Sequence, residues 1–322
     1  MVGRNRIVAP GFIDVFSDLF SDPLKYFIKK LKDHKQITEK DLLTTLSDKD
    51  LFYIISFGVI KKMLRGFTTI VTSLSKLDPV IKMLDLISER IIVLLDLDHM
   101  SREEALDYFI RSKRWHNYKK LLKISVMTGR EDLFKELSPH VPREMPIVIK
   151  GNLCIKDPVE RKIIRLNPKD LSCDNYPIIY TDEELFNQMI TTGSRKDLLI
   201  LFGSGSKGYI DYRKILRTYD YNIMMSLMTR VGSEIYNTAS GSIEPGRLSD
   251  VVIYDLSEAP LIAPSIDLNI ISQIILEEQP KIETLIVGEE IVIDGGELLS
   301  VGRDFFEKTR SRFIELFSEL SK

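Results

Sequence analysis

His99 ends the run Leu94-Leu-Asp96-Leu-Asp98-His99, in which an apolar stretch of strand type delivers two carboxylates and an imidazole close together. Such groups can take a proton from water or a substrate and return it, as general acid–base catalysis requires. The same residues also read as a plain loop, Asp98-His99-Met-Ser101, ahead of a capped helix with the imidazole solvated. His34, His116 and His140 stand far off in sequence, and the nearest pair, His99 and His116, is 17 positions apart. Cys154 and Cys173 lie 19 apart without a Cys-x-x-Cys, which excludes a disulfide scaffold and a zinc site built from thiolates. Gly203-Ser204-Gly205-Ser206-Lys207-Gly208 satisfies Gly-x-Gly-x-x-Gly after an apolar run, and backbone amides at Ser204, Gly205 and Ser206 could cradle an anion or other ligand. A dinucleotide fingerprint needs, in addition, a second strand tipped by an acid about twenty positions on. The chain carries a long helical pattern there instead, Tyr221 to Tyr236, and Gly208 after Lys207 breaks the Walker pattern. No cofactor is expected. Arg111 to Lys120 interleaves five basic residues with Trp115 and Tyr118, yet it directly succeeds a helical stretch, whose C-terminus favours cations in any case.

The elements that must position these groups can be read from composition and period. The chain has 322 residues, 44% hydrophobic and 29% charged, so it can bury a large core and is not a disordered chain. Lys+Arg 45 against Asp+Glu 47 leaves a net charge of -2, with no global field to hold nucleic acid or an anionic membrane. The longest apolar stretch, Leu51 to Ile60, is half of what a bilayer crossing requires, and Met1 to Arg6 carries no apolar secretory segment. The expectation is a cytoplasmic protein with neither nucleic acid nor membrane as partner. Seven Ile/Val/Leu-rich runs recur as buried parallel strands do: Ile7 to Ile13, Phe67 to Leu74, Ile91 to Leu97, Leu121 to Met127, Pro146 to Leu153, Tyr176 to Tyr180 and Leu198 to Phe202. Capping boxes at Ser101-Arg-Glu-Glu104 and Thr181-Asp-Glu-Glu184 start helices between them. Beyond about residue 241 strands succeed one another without helices, with a turn at Gly295-Gly296, and Asp304 to Lys322 repeats its Phe and Leu at helical spacing.

Three stretches, in order, resemble the amidohydrolase superfamily, particularly its cytosine-deaminase-like and chlorohydrolase-like branch. Ala9-Pro-Gly-Phe-Ile-Asp14 is similar to the start of its first barrel strand, and Met63-Leu-Arg-Gly-Phe-Thr-Thr-Ile-Val71 to the entry into its second. Gly241-Ser-Ile-Glu-Pro-Gly-Arg-Leu-Ser-Asp-Val-Val-Ile-Tyr-Asp255, with Leu285 to Gly295, resembles the return into its small β domain and the closing hairpin. The resemblance implies a (β/α)8 TIM-like barrel, distorted, with a small β-sandwich-like domain and a C-terminal helix. The boundaries it suggests are a barrel over 7–240, a small β domain over 241–302 with residues 1–6, and a docking helix over 303–322. Because the chain enters the barrel by Ile7, the N-terminal half of the small domain is expected to be missing. The exposed edge would then be covered in a homodimer or by a partner protein.

The resemblance carries over poorly to chemistry. Where the family's first strand ends Asp-x-His-x-His, this chain reads Asp14-Val-Phe16-Ser-Asp18, so only Asp18 could donate to a metal. Where its last barrel strand supplies an aspartate, Gly205 stands, and the middle strands bring no histidine. Lys150 matches a frequent ligand position, where a lysine can serve as base or simply sit ion-paired at the barrel mouth. No metal site is therefore expected. The first functional reading is a homologue that has lost the divalent-metal hydrolytic centre and acts as a binding or partner subunit, with a small-molecule ligand at the barrel mouth. The alternative is a hydrolase or deaminase of non-peptide C–N bonds in a small molecule, working through Asp18, Asp98, His99 and Lys150.

Overall fold

The computed structural model describes residues 5–24, 46–155, 162–168, 177–181, 200–204, 220–257, 267–299 and 301–321. Two sheets organise them. The larger has eight parallel strands in the order β2 (Phe12–Ser17), β3 (Phe67–Leu74), β4 (Arg90–Asp96), β5 (Leu122–Thr128), β6 (Ile147–Lys150), β7 (Ile163–Leu166), β8 (Ile178–Tyr180) and β9 (Ile200–Phe202). Sequence order equals spatial order, and the sheet curls back on itself so that Ser204, just past β9, donates its backbone N–H to Asp14 of β2. This is the expected TIM-like barrel.

The strands are continuous apolar runs because both faces are covered: Ile91 to Leu95 are all fully buried. Between them run α1 (Asp48–Met63), α2 (Asp78–Leu84), α3 (Arg102–Lys113) and α4 (Glu131–Leu137). Both α1 and α3 open on capping boxes, Ser47 with Asp50 and Ser101 with Glu104. After β9 come α5 (Tyr221–Ser226), a π-helical stretch Leu227–Val231 and α6 (Gly232–Tyr236), where the Tyr236 hydroxyl donates to the Val15 carbonyl and pins the helix to β2.

The sequence count of seven strands is corrected to eight. The missing one is β7, Ile-Ile-Arg-Leu, only four residues long with the buried Arg165 in its middle, which hides it from a search for apolar runs. The run Ile7 to Ile13 is likewise two strands. Arg6–Pro10 forms β1, antiparallel to β10 (Val251–Asp255), and at Gly11 the chain passes into β2. Thr68 is packed so close to Gly11 that no Cβ would fit there. β1 therefore pairs along β10 as an edge strand, and the second sheet runs β1-β10-β11-β12-β13 with β11 (Lys281–Val287), β12 (Glu290–Asp294) and β13 (Glu297–Leu298). Among the described residues it is one antiparallel sheet of five strands.

Between β10 and β11 lies α7 (Leu268–Gln273), continuing into a π-helical Ile274–Glu278. The last element, α8 (Arg303–Ser321), docks on α1 through Phe305 against Phe52, Phe313 against Phe57, and Arg312 on Asp50 at 2.7 Å. Among the described residues no helix is long and apolar enough to cross a membrane. Cys154, in the loop after β6, is not a free thiol. The capping box at Thr181, Cys173, His34, Gly205 and Ser206 lie wholly or partly outside the described residues.

Candidate functional site

Working groups in a parallel barrel are carried at the C-terminal ends of its strands. Three neighbouring strands, β4, β5 and β6, bring such groups together. Lys150, the last residue of β6, reaches both carboxylate oxygens of Asp96 at the end of β4, at 2.9 and 3.0 Å, and Asp98 two residues later at 2.5 Å. Asp98 is itself fixed by the Thr128 hydroxyl at 2.5 Å and the Gly129 N–H at 2.9 Å, both at the end of β5. Arg130 then donates to the carbonyls of Asp98 and Met100, so the turn after β4 is held by the turn after β5.

The site is half open. The side chains of Lys150, Asp96 and Asp98 keep 32, 30 and 22% of their surface in solvent. Burial alone would raise the Asp98 carboxyl, but hydrogen bonds from Lys150, Thr128 and Gly129 outweigh it and hold that carboxyl below its ordinary range. Burial alone would likewise lower the Lys150 ammonium, and the two aspartates outweigh it and raise it instead. The pairing thus favours the charged forms of Lys150 and Asp98, and Lys150 donates its hydrogen bonds to the two aspartates.

The structure brings Asp98 and Lys150 together and leaves the other expected residues apart. His99 is exposed in the turn after β4, and among the described residues no hydrogen bond or ion pair ties it to the cluster. Asp18 accepts the N–H groups of Phe20 at 3.0 Å and Ser21 at 2.8 Å, capping the turn that succeeds β2. Ser204 is buried, and its N–H and hydroxyl both go to Asp14. Of the anion cradle expected at Ser204, Gly205 and Ser206, the first member is thus already committed.

A second charged cluster was not anticipated. Lys62, in the last turn of α1, places its ammonium 2.7 Å from Asp14 and 2.6 Å from the Ser204 hydroxyl, with the Ser17 hydroxyl 3.4 Å from that of Ser204. Lys62 and Asp14 are wholly buried, and the Phe67 ring lies 5.2 Å from the ammonium. The ion pair stitches α1, β2 and the end of β9 into one seam. Beside it Phe16 is packed so tightly on Gly203 that a Cβ there would sit 2.6 Å from the Phe16 carbonyl.

No family model matches the sequence and no curated protein matches it. Similar folds come from solved structures. A variant of the atrazine chlorohydrolase TrzN from Arthrobacter aurescens TC1, complexed with zinc and atraton, superposes with a TM-score of 0.72 at 9% identity over 96% of this chain and 89% of that one. An adenosine deaminase from Xanthomonas campestris with bound zinc gives 0.71 at 13% identity over 98 and 87%. The Helicobacter pylori aminofutalosine deaminase in complex with methylthio-coformycin gives 0.60 at 12% over 90 and 87%.

Zinc in such a protein would need about three donors converging on one point. Among the described residues no group of three His, Cys, Asp or Glu is so placed. His116 takes the Ile124 N–H on Nδ1 at 3.1 Å and faces Glu144 with Nε2 at 3.2 Å, Asp14 is bound to Lys62, and Asp18 is a cap. The described donors do not fit a zinc centre. At these identities the likeness is one of architecture: the chain shares its fold, a parallel barrel with an antiparallel companion sheet, with the chlorohydrolase and both deaminases.

Proposed function

We propose that this chain is a hydrolase or deaminase of C–N bonds, other than peptide bonds, in a small molecule held over the barrel mouth, and that Asp98 and Lys150 make the polar contacts with it. The observation that carries this reading is the half-open cluster of Lys150 between Asp96 and Asp98 at the ends of β4 and β6. The neighbouring chlorohydrolase and deaminases support the reaction class. Lys150, charged and partly exposed, would orient an acceptor atom of the substrate, while the paired carboxylates would bind N–H donors of a nitrogen-rich ring. His99, next to Asp98 in the chain and open to solvent, is the candidate proton carrier.

The test is ammonia or amine release from a panel of amino- and halo-substituted heterocycles and small cyclic amides. Turnover should fall on the order of 100-fold or more in Lys150→Met and in Asp98→Asn, with folding unchanged. If no compound is turned over and one still binds with the same dependence on Lys150, the second reading stands: a binding or partner subunit without the divalent-metal hydrolytic centre. What favours that reading is the donor set, with Phe16 and Gly205 where the resemblance would place ligands.

A further inference from the structure

Glu89 immediately precedes β4 on the side of the barrel away from the mouth. Its residue is fully buried, and among the described residues neither carboxylate oxygen has a hydrogen-bond partner. Buried carboxylates are normally paired, because an isolated charge in a low dielectric is costly. Its surroundings make the anomaly sharper. Arg90, the next residue, points its guanidinium at Asp250, just before β10, with Nε at 3.2 Å and Nη2 at 3.0 Å, and gives its Nη1 to the Lys120 carbonyl at 2.9 Å. Asp250 also accepts the Gly288 N–H from the β11–β12 turn at 2.8 Å, and its carbonyl takes the Gly11 N–H at 2.9 Å. One residue upstream Ser88 bonds to Glu290 of β12.

The charges facing Glu89 are thus Arg90 and Asp250, with Lys123 beside Arg90 and Glu144 beside Lys123. The guanidinium is already matched by Asp250. Among the described residues no cation forms an ion pair with the Glu89 carboxylate.

We propose that Glu89 is carried as the neutral acid in the folded protein and acts as a proton latch between the barrel and the antiparallel sheet, which its ionisation would loosen. The junction it sits in joins β4, the start of β10, the β11–β12 turn and, through Gly11, the step from β1 into β2. Ionisation would therefore reach the strand that carries Asp14 and leads to Asp18. Burial first, and then the Asp250 carboxylate, push the Glu89 carboxyl well above the usual range against the weaker pull of Arg90. With the folded value raised above the unfolded one, the junction is fully stable below the ordinary carboxyl range and weakens as pH rises through the raised value.

The test compares the wild-type chain with Glu89→Gln between about pH 6 and about pH 9. Hydrogen exchange of the β10 and β11 amides, corrected for the intrinsic effect of pH, should accelerate about tenfold or more in the wild type and stay flat in Glu89→Gln, which should also melt higher at the alkaline end. Independently of any variant, the wild-type infrared spectrum at neutral pH should show the C=O band of a protonated carboxylic acid, and it should disappear at alkaline pH in step with the exchange. Absence of that band at neutral pH, or identical pH profiles in the two proteins, would overturn the proposal.

Discussion

Two lysines on carboxylates divide the barrel between them. Lys62 meets Asp14 with both side chains at 0% exposure, while Lys150 meets Asp96 and Asp98 with 32% of its side chain in water. Chemically the pairs are alike; their surroundings make them different devices. The dry pair is shut away from water and shares only the Ser204 hydroxyl, so it fixes α1, β2 and the end of β9 and cannot exchange with a ligand at low cost. The wet pair can trade part of its hydrogen bonding for that of a substrate, since water already competes for it. Partial exposure, more than charge, is what separates a candidate site from a structural seam here.

The sharpest way to break this contrast is to remove each ammonium. Lys62→Met should lower the unfolding free energy in urea by about 3–5 kcal/mol, the cost of stranding a buried carboxylate. Adding Asp14→Leu should recover much of that loss; a double variant no better than the single one would show that the seam is not an ion-pair device. Gly203→Ala comes next, because its Cβ would meet the Phe16 carbonyl at 2.6 Å. The loss there should be about 1–3 kcal/mol, read as a lower melting temperature. Lys150→Met should cost less than about 1 kcal/mol, because its pairs are partly exposed and screened, so a loss as large as that of Lys62→Met would erase the distinction. The smallest effect concerns acid. Asp98 is held below its ordinary range in the fold, so its contribution is present above that range and fades as pH falls through the folded value. Melting curves below about pH 5 should show wild type and Lys150→Met converging.

The barrel was legible because parallel strands buried on both faces leave uninterrupted runs such as Arg90–Asp96, and because Ser101 and Glu104 announce α3 by type and spacing. β7 was not legible, since a four-residue strand with arginine inside carries too little pattern. Half of the mouth cluster could be found: Asp98 and Lys150 end apolar runs. The partners that define their state, Thr128 and Gly129, look like any strand end, and their role appears only when β4 and β5 are laid side by side. Lys62 reads in sequence as one more cation in the last turn of a helix, 48 positions from Asp14 and 142 from Ser204. Nothing local marks a lysine as buried.

The step at Gly11 has a consequence for how the molecule is made. β1 and β2 are contiguous in the chain but belong to different sheets, and Arg6 of β1 pairs with Asp255, far downstream. On the ribosome, β2 meets β3 once Phe67–Leu74 has emerged, whereas β1 must wait until nearly the whole barrel is out before its ladder exists. Its contacts are among the longest-range in the fold, and closing them carries the full loop entropy of everything between. A strand made ahead of the whole barrel is thus among the last to be secured, and the antiparallel sheet can be completed only after every barrel strand has been made.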